Sequence, residues 1–168
     1  GNFIFGDRGL IGAGPQFLLA AEADYPDLAQ KAIEGEIVGS SAGGEQSKFT
    51  AFNETSECHV IVKFSPKDNN EIATRWRDIL ITEYHAAVVL NARIFSAAIP
   101  GLIDINGQLF LESQRFDRIG ALGRRSMISL QTIDSEFTGL GSNWPKVMKG
   151  LLEKNLAISE DIFYAESL

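Results

Sequence analysis

The chain has 168 residues, of which 45% are hydrophobic and 22% charged, values of a single globular domain or of one lobe of something larger. One cysteine, Cys58, and two histidines, His59 and His85, exclude an internal disulfide framework and zinc-site spacing, and they suit a reducing cytosol. A net charge of −7 argues against nucleic-acid binding through the overall field.

No run approaches the roughly 20 apolar residues of a membrane helix, so the cytoplasm is the expected compartment. Gly1 rather than Met opens the chain, with no basic-then-apolar signal pattern, so the sequence reads as trimmed or cut from a longer protein. The first fifteen residues hold Gly6, Gly9, Gly12 and Gly14. They do not spell a dinucleotide loop, and Pro15 removes an N–H where donors would be wanted. Turns leading to a short helix over 16–23 are expected. Tyr25-Pro26-Asp27 starts a second helix running to about Ile33, with Gly35 as its stop.

Gly39-Ser40-Ser41-Ala42-Gly43-Gly44-Glu45-Gln46-Ser47-Lys48-Phe49 carries three glycines, three serines and a lysine. Such a loop can turn backbone N–H groups toward an anion, because glycine tolerates positive φ and has no Cβ to hold a ligand away. Composition alone equally describes a surface loop. Residues 48–52 and 58–64 then read as a β-hairpin with a polar turn. Val60, Val62 and Phe64 share one face of its second strand; His59, Ile61 and Lys63 share the other. Lys63 is either an exposed edge lysine or a charge that needs a partner.

Ser65-Pro66 breaks the strand, and Asp68-Asn69-Asn70 supplies N-caps for a long helix to about Asn91. Trp76, Leu80, Ala87 and Leu90 form its apolar stripe, with Glu83 inside it. A carboxylate there either reaches water at the stripe's edge or meets a cation, and Lys63 is the obvious one. His85 points away from the stripe. Residues 97–105 and 108–112 read as strands about an Asn106-Gly107 type I′ turn. The charged cluster Ser113-Gln114-Arg115-Phe116-Asp117-Arg118 follows. Gly120 to Arg125 makes a turn whose Arg124-Arg125 pair is either a local nucleic-acid contact or, the preferred reading, a solvated hairpin tip, and 126–130 reads as another short strand. Helices are expected from Trp144-Pro145 to about Lys154 and over 158–165.

The Ser/Gly loop, the Val62-Lys63-Phe64 strand with its glutamate helix, and Gln114-Arg115-Phe116-Asp117-Arg118, in this order, resemble the HipA family of bacterial serine/threonine kinases, the toxin halves of toxin–antitoxin pairs. Arg75-Trp76-Arg77-Asp78-Ile79-Leu80 and Ile128-Ser129-Leu130 look like a branch with an extra N-terminal DNA-binding segment. The resemblance is close over about 37–140. It implies an N-terminal helical extension over 1–36, a kinase N-lobe over 37–140, and a helical segment over 141–168 leading toward a missing catalytic lobe.

By that resemblance, Ser41 matches the autophosphorylated serine, with Ser40 the adjacent alternative. Gly43, Gly44, Gln46 and Lys48 belong to the phosphate loop, Lys63 holds the ATP phosphates, and Glu83 orients Lys63. Gln114 to Phe116 match the hinge at adenine, and Asp117 lies where the ribose is contacted. Two positions depart from the family: Ser47 stands where proline is usual, and Gln114 where glutamate is usual. The family's Asn-x-Asp-x-His-type loop and metal-binding aspartate occur nowhere in the sequence, so catalytic residues are expected beyond Leu168 and none is assigned here.

The expected fold is therefore α+β, with an antiparallel sheet of about five strands, one long packed helix and flanking helices. The expected function is the ATP-binding lobe of a HipA-like serine/threonine kinase, with ATP and Mg²⁺ as cofactors of the full enzyme and no metal site in this segment. A module that binds an antitoxin or a separately encoded catalytic lobe is the alternative. Neither direct nucleic-acid contact nor a membrane is expected.

Overall fold

The computed structural model describes residues 17–36, 46–93 and 98–167. Its chain divides into two compact units, the first closing at Arg125 and the second opening at Ser126. The first unit is built on a five-stranded sheet in the order β1-β2-β3-β5-β4, made of β1 (Leu19–Ala20), β2 (Lys48–Asn53), β3 (Cys58–Phe64), β4 (Gly101–Ile105) and β5 (Gln108–Gln114). Helix α1 (Tyr25–Ile33) and helix α2 (Glu71–Arg93) complete the α+β fold.

Alternation explains the sheet. Phe49, Ala51, Val60, Val62, Phe64 and Phe110 fall on one face and pack with Tyr25, Leu28 and Ala29 of α1 in a single buried cluster. Four aromatics form its centre, with ring centroids 5.4 Å apart for Tyr25–Phe49, 5.8 Å for Tyr25–Phe110 and 6.0 Å for Phe49–Phe64. Such tilted and edge contacts add about 0.5–1.5 kcal/mol each beyond burial. On the opposite face, Leu109 and Leu111 meet Leu80 and Tyr84 of α2.

The expected boundaries of α1, β3 and α2 match the observed ones closely. Asn70 caps α2, its Oδ1 accepting the Ala73 N–H at 2.8 Å. Asn106 and Gly107 take φ of 53° and 82°, the left-handed pair that a type I′ turn requires.

Three expectations fail. The helix expected over 16–23 is instead the short strand β1 followed by a 3-10 turn over Glu22–Asp24. The open edge of β2 captures it: Phe52 N–H donates to Leu18 O at 2.7 Å and Glu54 N–H to Ala20 O at 3.1 Å. This pairing is parallel, so the sheet is mixed rather than antiparallel throughout. The strand expected over 126–130 is absent, since Ser129 caps helix α3 (Leu130–Phe137) by accepting the Thr132 N–H. Capping gives those residues hydrogen bonds that a lone strand lacks. The strand expected over 97–105 begins at Gly101.

Past β5 the chain forms a two-stranded ribbon, β6 (Arg118–Ile119) with β7 (Gly123–Arg124). The second unit holds α3, α4 (Trp144–Glu153) and α5 (Ser159–Ser167). Asn143 caps α4 by accepting the Lys146 N–H, with Pro145 in the first turn. The α3–α4 connection is gathered by Asp134, whose carboxylate accepts from the Leu140 and Gly141 N–H groups and the Thr138 hydroxyl. The Thr138 hydrogen bond, foremost, holds that carboxyl below its ordinary range.

Candidate functional site

The α2 face of the sheet carries a cluster of charge. Lys48 opens β2 and stands in register with Lys63 of β3, which in turn faces Leu111 of β5. Alternation puts all three on the face that α2 covers. Like charges directly opposite one another disfavour strand pairing, so two lysines abreast call for negative charge. One source is present: Lys63 Nζ donates to Glu83 Oε1 of α2. The two side chains are 29% and 39% exposed, so the pair is open to solvent and to a ligand.

Geometry accounts for the glutamate's place in an apolar stripe. Leu80 is fully buried and Tyr84 packs beside it. Glu83, about 60° to one side of Leu80 around the helix and away from Tyr84, reaches Lys63 of β3. Its other side faces a shallow groove along α2 lined by Arg75, Asp78, Ile79, Thr82 and Ala86.

Gln46 lies just ahead of β2. Its Nε2 is buried and finds no acceptor among the described residues, a donor whose desolvation costs about 1–3 kcal/mol unless an acceptor arrives. Ser40, Ser41, Gly43 and Gly44 lie outside the described residues. The loop therefore contributes only its C-terminal end, Gln46 and Lys48, to the geometry.

The second group of expected residues lies further along β5. Gln114 is three residues beyond Leu111, so about 10 Å separates its position from that of Lys63. Gln114 and Phe116 are exposed, Phe116 to 69%. Asp117 is buried and gripped by two guanidinium groups. Arg115 Nε donates to its Oδ1 at 2.9 Å, Arg115 Nη2 to its Oδ2 at 2.7 Å, and Arg118 Nη1 also donates to Oδ2. The hydrogen bonds from Arg115 hold the Asp117 carboxyl below the usual carboxylate range, burial opposing them only in part. A carboxylate offers about four acceptor positions, and three N–H donors leave room for one more on Oδ1. His85 is exposed beside Tyr84.

One polar network is visible only in the structure. On the α1 face, Glu112 stands opposite Val62, and its Oε2 accepts from the Tyr25 hydroxyl and from Asn53 Nδ2 at 2.9 Å. Asn53 Oδ1 in turn accepts the Thr55 and Ser56 N–H groups, fixing the β2–β3 turn. Burial, and the carboxylate beside it, push the Tyr25 hydroxyl well above its ordinary pKa. A carboxylate at an alternating core position of β5 was the available sequence signal.

Among the described residues, no group of three His, Cys, Asp or Glu side chains could hold a metal ion, and no helix is long and apolar enough to cross a membrane. No protein-family model matches the chain, and no solved structure does. Among curated proteins the chain is similar to Toxin YjjJ of Escherichia coli (strain K12), with 41% identity over 145 residues covering 84% of this chain and 33% of that protein. The chain thus spans about a third of that relative's length.

Proposed function

We propose that this chain is the nucleotide-gripping lobe of a HipA-like serine/threonine protein kinase, part of a longer protein that acts as a bacterial toxin restrained by an antitoxin protein. The observation that carries the reading is the Lys63–Glu83 pair, set beside Lys48 on the sheet face that α2 covers. Phosphoryl transfer asks a protein mainly to position phosphates and neutralise their charge. Two lysines in register across β2 and β3, with Glu83 paired to Lys63, and a buried amide donor without an acceptor among the described residues suit a phosphate tail. The Gln114–Asp117 segment lies about 10 Å away along β5, a separation that suits the ring end of the same ligand. There the backbone past β5 would meet adenine, Phe116 would cover it, and the remaining acceptor position of Asp117 would take a ribose hydroxyl. The toxin name of the similar protein supports the wider role.

ATP supplies the transferable phosphoryl group. Lys63 and Lys48 hold charge at the phosphates, Glu83 fixes the ammonium of Lys63, and Gln46 donates through Nε2. Among the described residues, no group of three His, Cys, Asp or Glu side chains could hold Mg²⁺. Ser41, with Ser40 as the adjacent alternative, is the proposed acceptor of self-phosphorylation in the longer protein. Placing about two negative charges there would repel the ATP phosphates.

An ATP analogue whose terminal phosphate carries a reactive acyl group tests the reading, because it acylates amines beside the phosphates. Peptide mass spectrometry should find the label on Lys63 and Lys48, with protection by excess ATP. Equal labelling of Lys63 and of the exposed Lys31 of α1, on the opposite side of the sheet, unaffected by ATP, would refute it. A second reading, a module that docks a separately encoded protein, is favoured by one observation. Phe137, Leu140, Trp144, Leu156, Ile158 and Phe163 in the second unit are all about half exposed or more.

A further inference from the structure

The β6–β7 ribbon concentrates positive charge in an acidic chain. Arg115, Arg118, Arg124 and Arg125 stand against one acid, Asp117, between positions 115 and 125. Arg118 and Arg124 are register partners across the ribbon, and like charges so placed disfavour the pairing. Among the described residues, no carboxylate pairs with Arg124 or Arg125, and both are exposed. Burial and the neighbouring Arg115 and Arg124 bring the Arg118 guanidinium below its ordinary pKa, as expected where positive charge is under-compensated.

The ribbon is nevertheless held firmly. Arg115 N–H donates to His59 O at 2.8 Å, Arg125 N–H to Asp117 O at 3.0 Å, and His59 Nε2 hydrogen-bonds Ala121 O at 2.9 Å. The turn leaves no space for a side chain at Gly123, where a Cβ would stand 2.5 Å from the Ile119 backbone oxygen. On this fixed support Ile119 is 52% and Leu122 69% exposed.

A self-repelling cationic pair and two exposed aliphatic side chains, kept in place by three anchoring hydrogen bonds, form a built surface rather than a loose hairpin tip. We propose that the β6–β7 ribbon is a docking platform for an acidic protein segment that carries apolar side chains. Charge complementarity selects the acid: carboxylates would neutralise Arg124 and Arg125. The aliphatic pair Ile119 and Leu122, 52% and 69% exposed, asks for apolar side chains in the partner and so selects a protein segment. Its partner-facing side chains, Ile119, Leu122, Arg124 and Arg125, have no part in the nucleotide reading, although Asp117, which anchors the ribbon, does.

The test is selection of a random peptide display library on the 168-residue chain, with the Arg124→Glu/Arg125→Glu variant as counter-target. Selected peptides should be rich in Asp and Glu interleaved with Leu or Phe. A synthesised winner should bind the variant at least about tenfold more weakly, and Leu122→Ser should weaken it as well. Because both arginines are exposed, the charge-removing pair Arg124→Gln/Arg125→Gln serves if reversal disturbs folding, as checked by the thermal melt. Peptides without acid enrichment, or winners that bind wild type and variant equally, would overturn the proposal. So would a labelled single-stranded oligonucleotide that outcompetes the winner and depends on the same two arginines.

Discussion

The Lys63–Glu83 contact invites a test of whether it serves the fold or the ligand. Two unit charges about 4 Å apart attract by about 4 kcal/mol at the effective dielectric of a protein surface. Solvent reaches both groups here, with exposures of 29% and 39%, so screening and the entropy of fixing two side chains bring the net value toward about 0.5–1 kcal/mol. Lys48 alongside further reduces what Lys63 can contribute. A double-mutant cycle of Lys63→Met and Glu83→Gln, read by urea unfolding, should therefore give a coupling of at most about 1 kcal/mol. The coupling should shrink between low salt and about 0.5 M salt. Lys63→Met alone should leave stability nearly unchanged, because it also relieves the repulsion from Lys48. A salt-insensitive coupling above about 3 kcal/mol, the range of a broken buried ion pair, would refute the reasoning. The pair would then be a support of the fold.

Tyr25→Phe should cost about 1–3 kcal/mol in urea unfolding, because Glu112 and Asn53 lose the hydroxyl they share; an unchanged midpoint would contradict the network. Asp117 has a carboxyl held below its unfolded value by Arg115. Its stabilisation is therefore present above about pH 4 and lost as pH falls through the lower folded value. Denaturation curves of wild type and Asp117→Asn should accordingly converge as pH drops below about 4, and a gap independent of pH would contradict the assignment. Asn70→Ala should lower stability by about 0.5–2 kcal/mol through loss of the α2 cap, visible as reduced helical signal at intermediate urea.

Local chemistry made much of the fold legible. The period-two pattern of 58–64, the Asn106-Gly107 turn and the cap at Asn70 each determine a short-range geometry that the tertiary structure keeps. Glu83 was legible for a different reason: a charge inside an apolar stripe demands a cation, and Lys63 was the cation on the face of β3 opposite Val60, Val62 and Phe64. What failed was non-local. Leu19–Ala20 reads as helix in its own neighbourhood and becomes strand only because β2, from 48 onward, offers an edge. The 126–130 segment has a strand-like composition, but Ser129 and Thr132 form a cap that no pairing partner outbids. The Tyr25–Asn53–Glu112 network joins residues as far as 87 positions apart, and local periodicity carries no trace of such a meeting. The ribbon's charge was visible as Arg124-Arg125, while its rigidity appeared only with the anchors from His59 and Asp117.

In the proposed function Lys63, steadied by Glu83, reads phosphate. Titration calorimetry of the chain with ATP and with adenosine, on wild type and Lys63→Ala, tests it most directly. A charge-assisted contact of about 1.5–3 kcal/mol predicts that ATP affinity falls about 10- to 100-fold in the variant, while adenosine affinity is unchanged. Equal ATP affinity in both proteins, or an equal loss for adenosine, would contradict it.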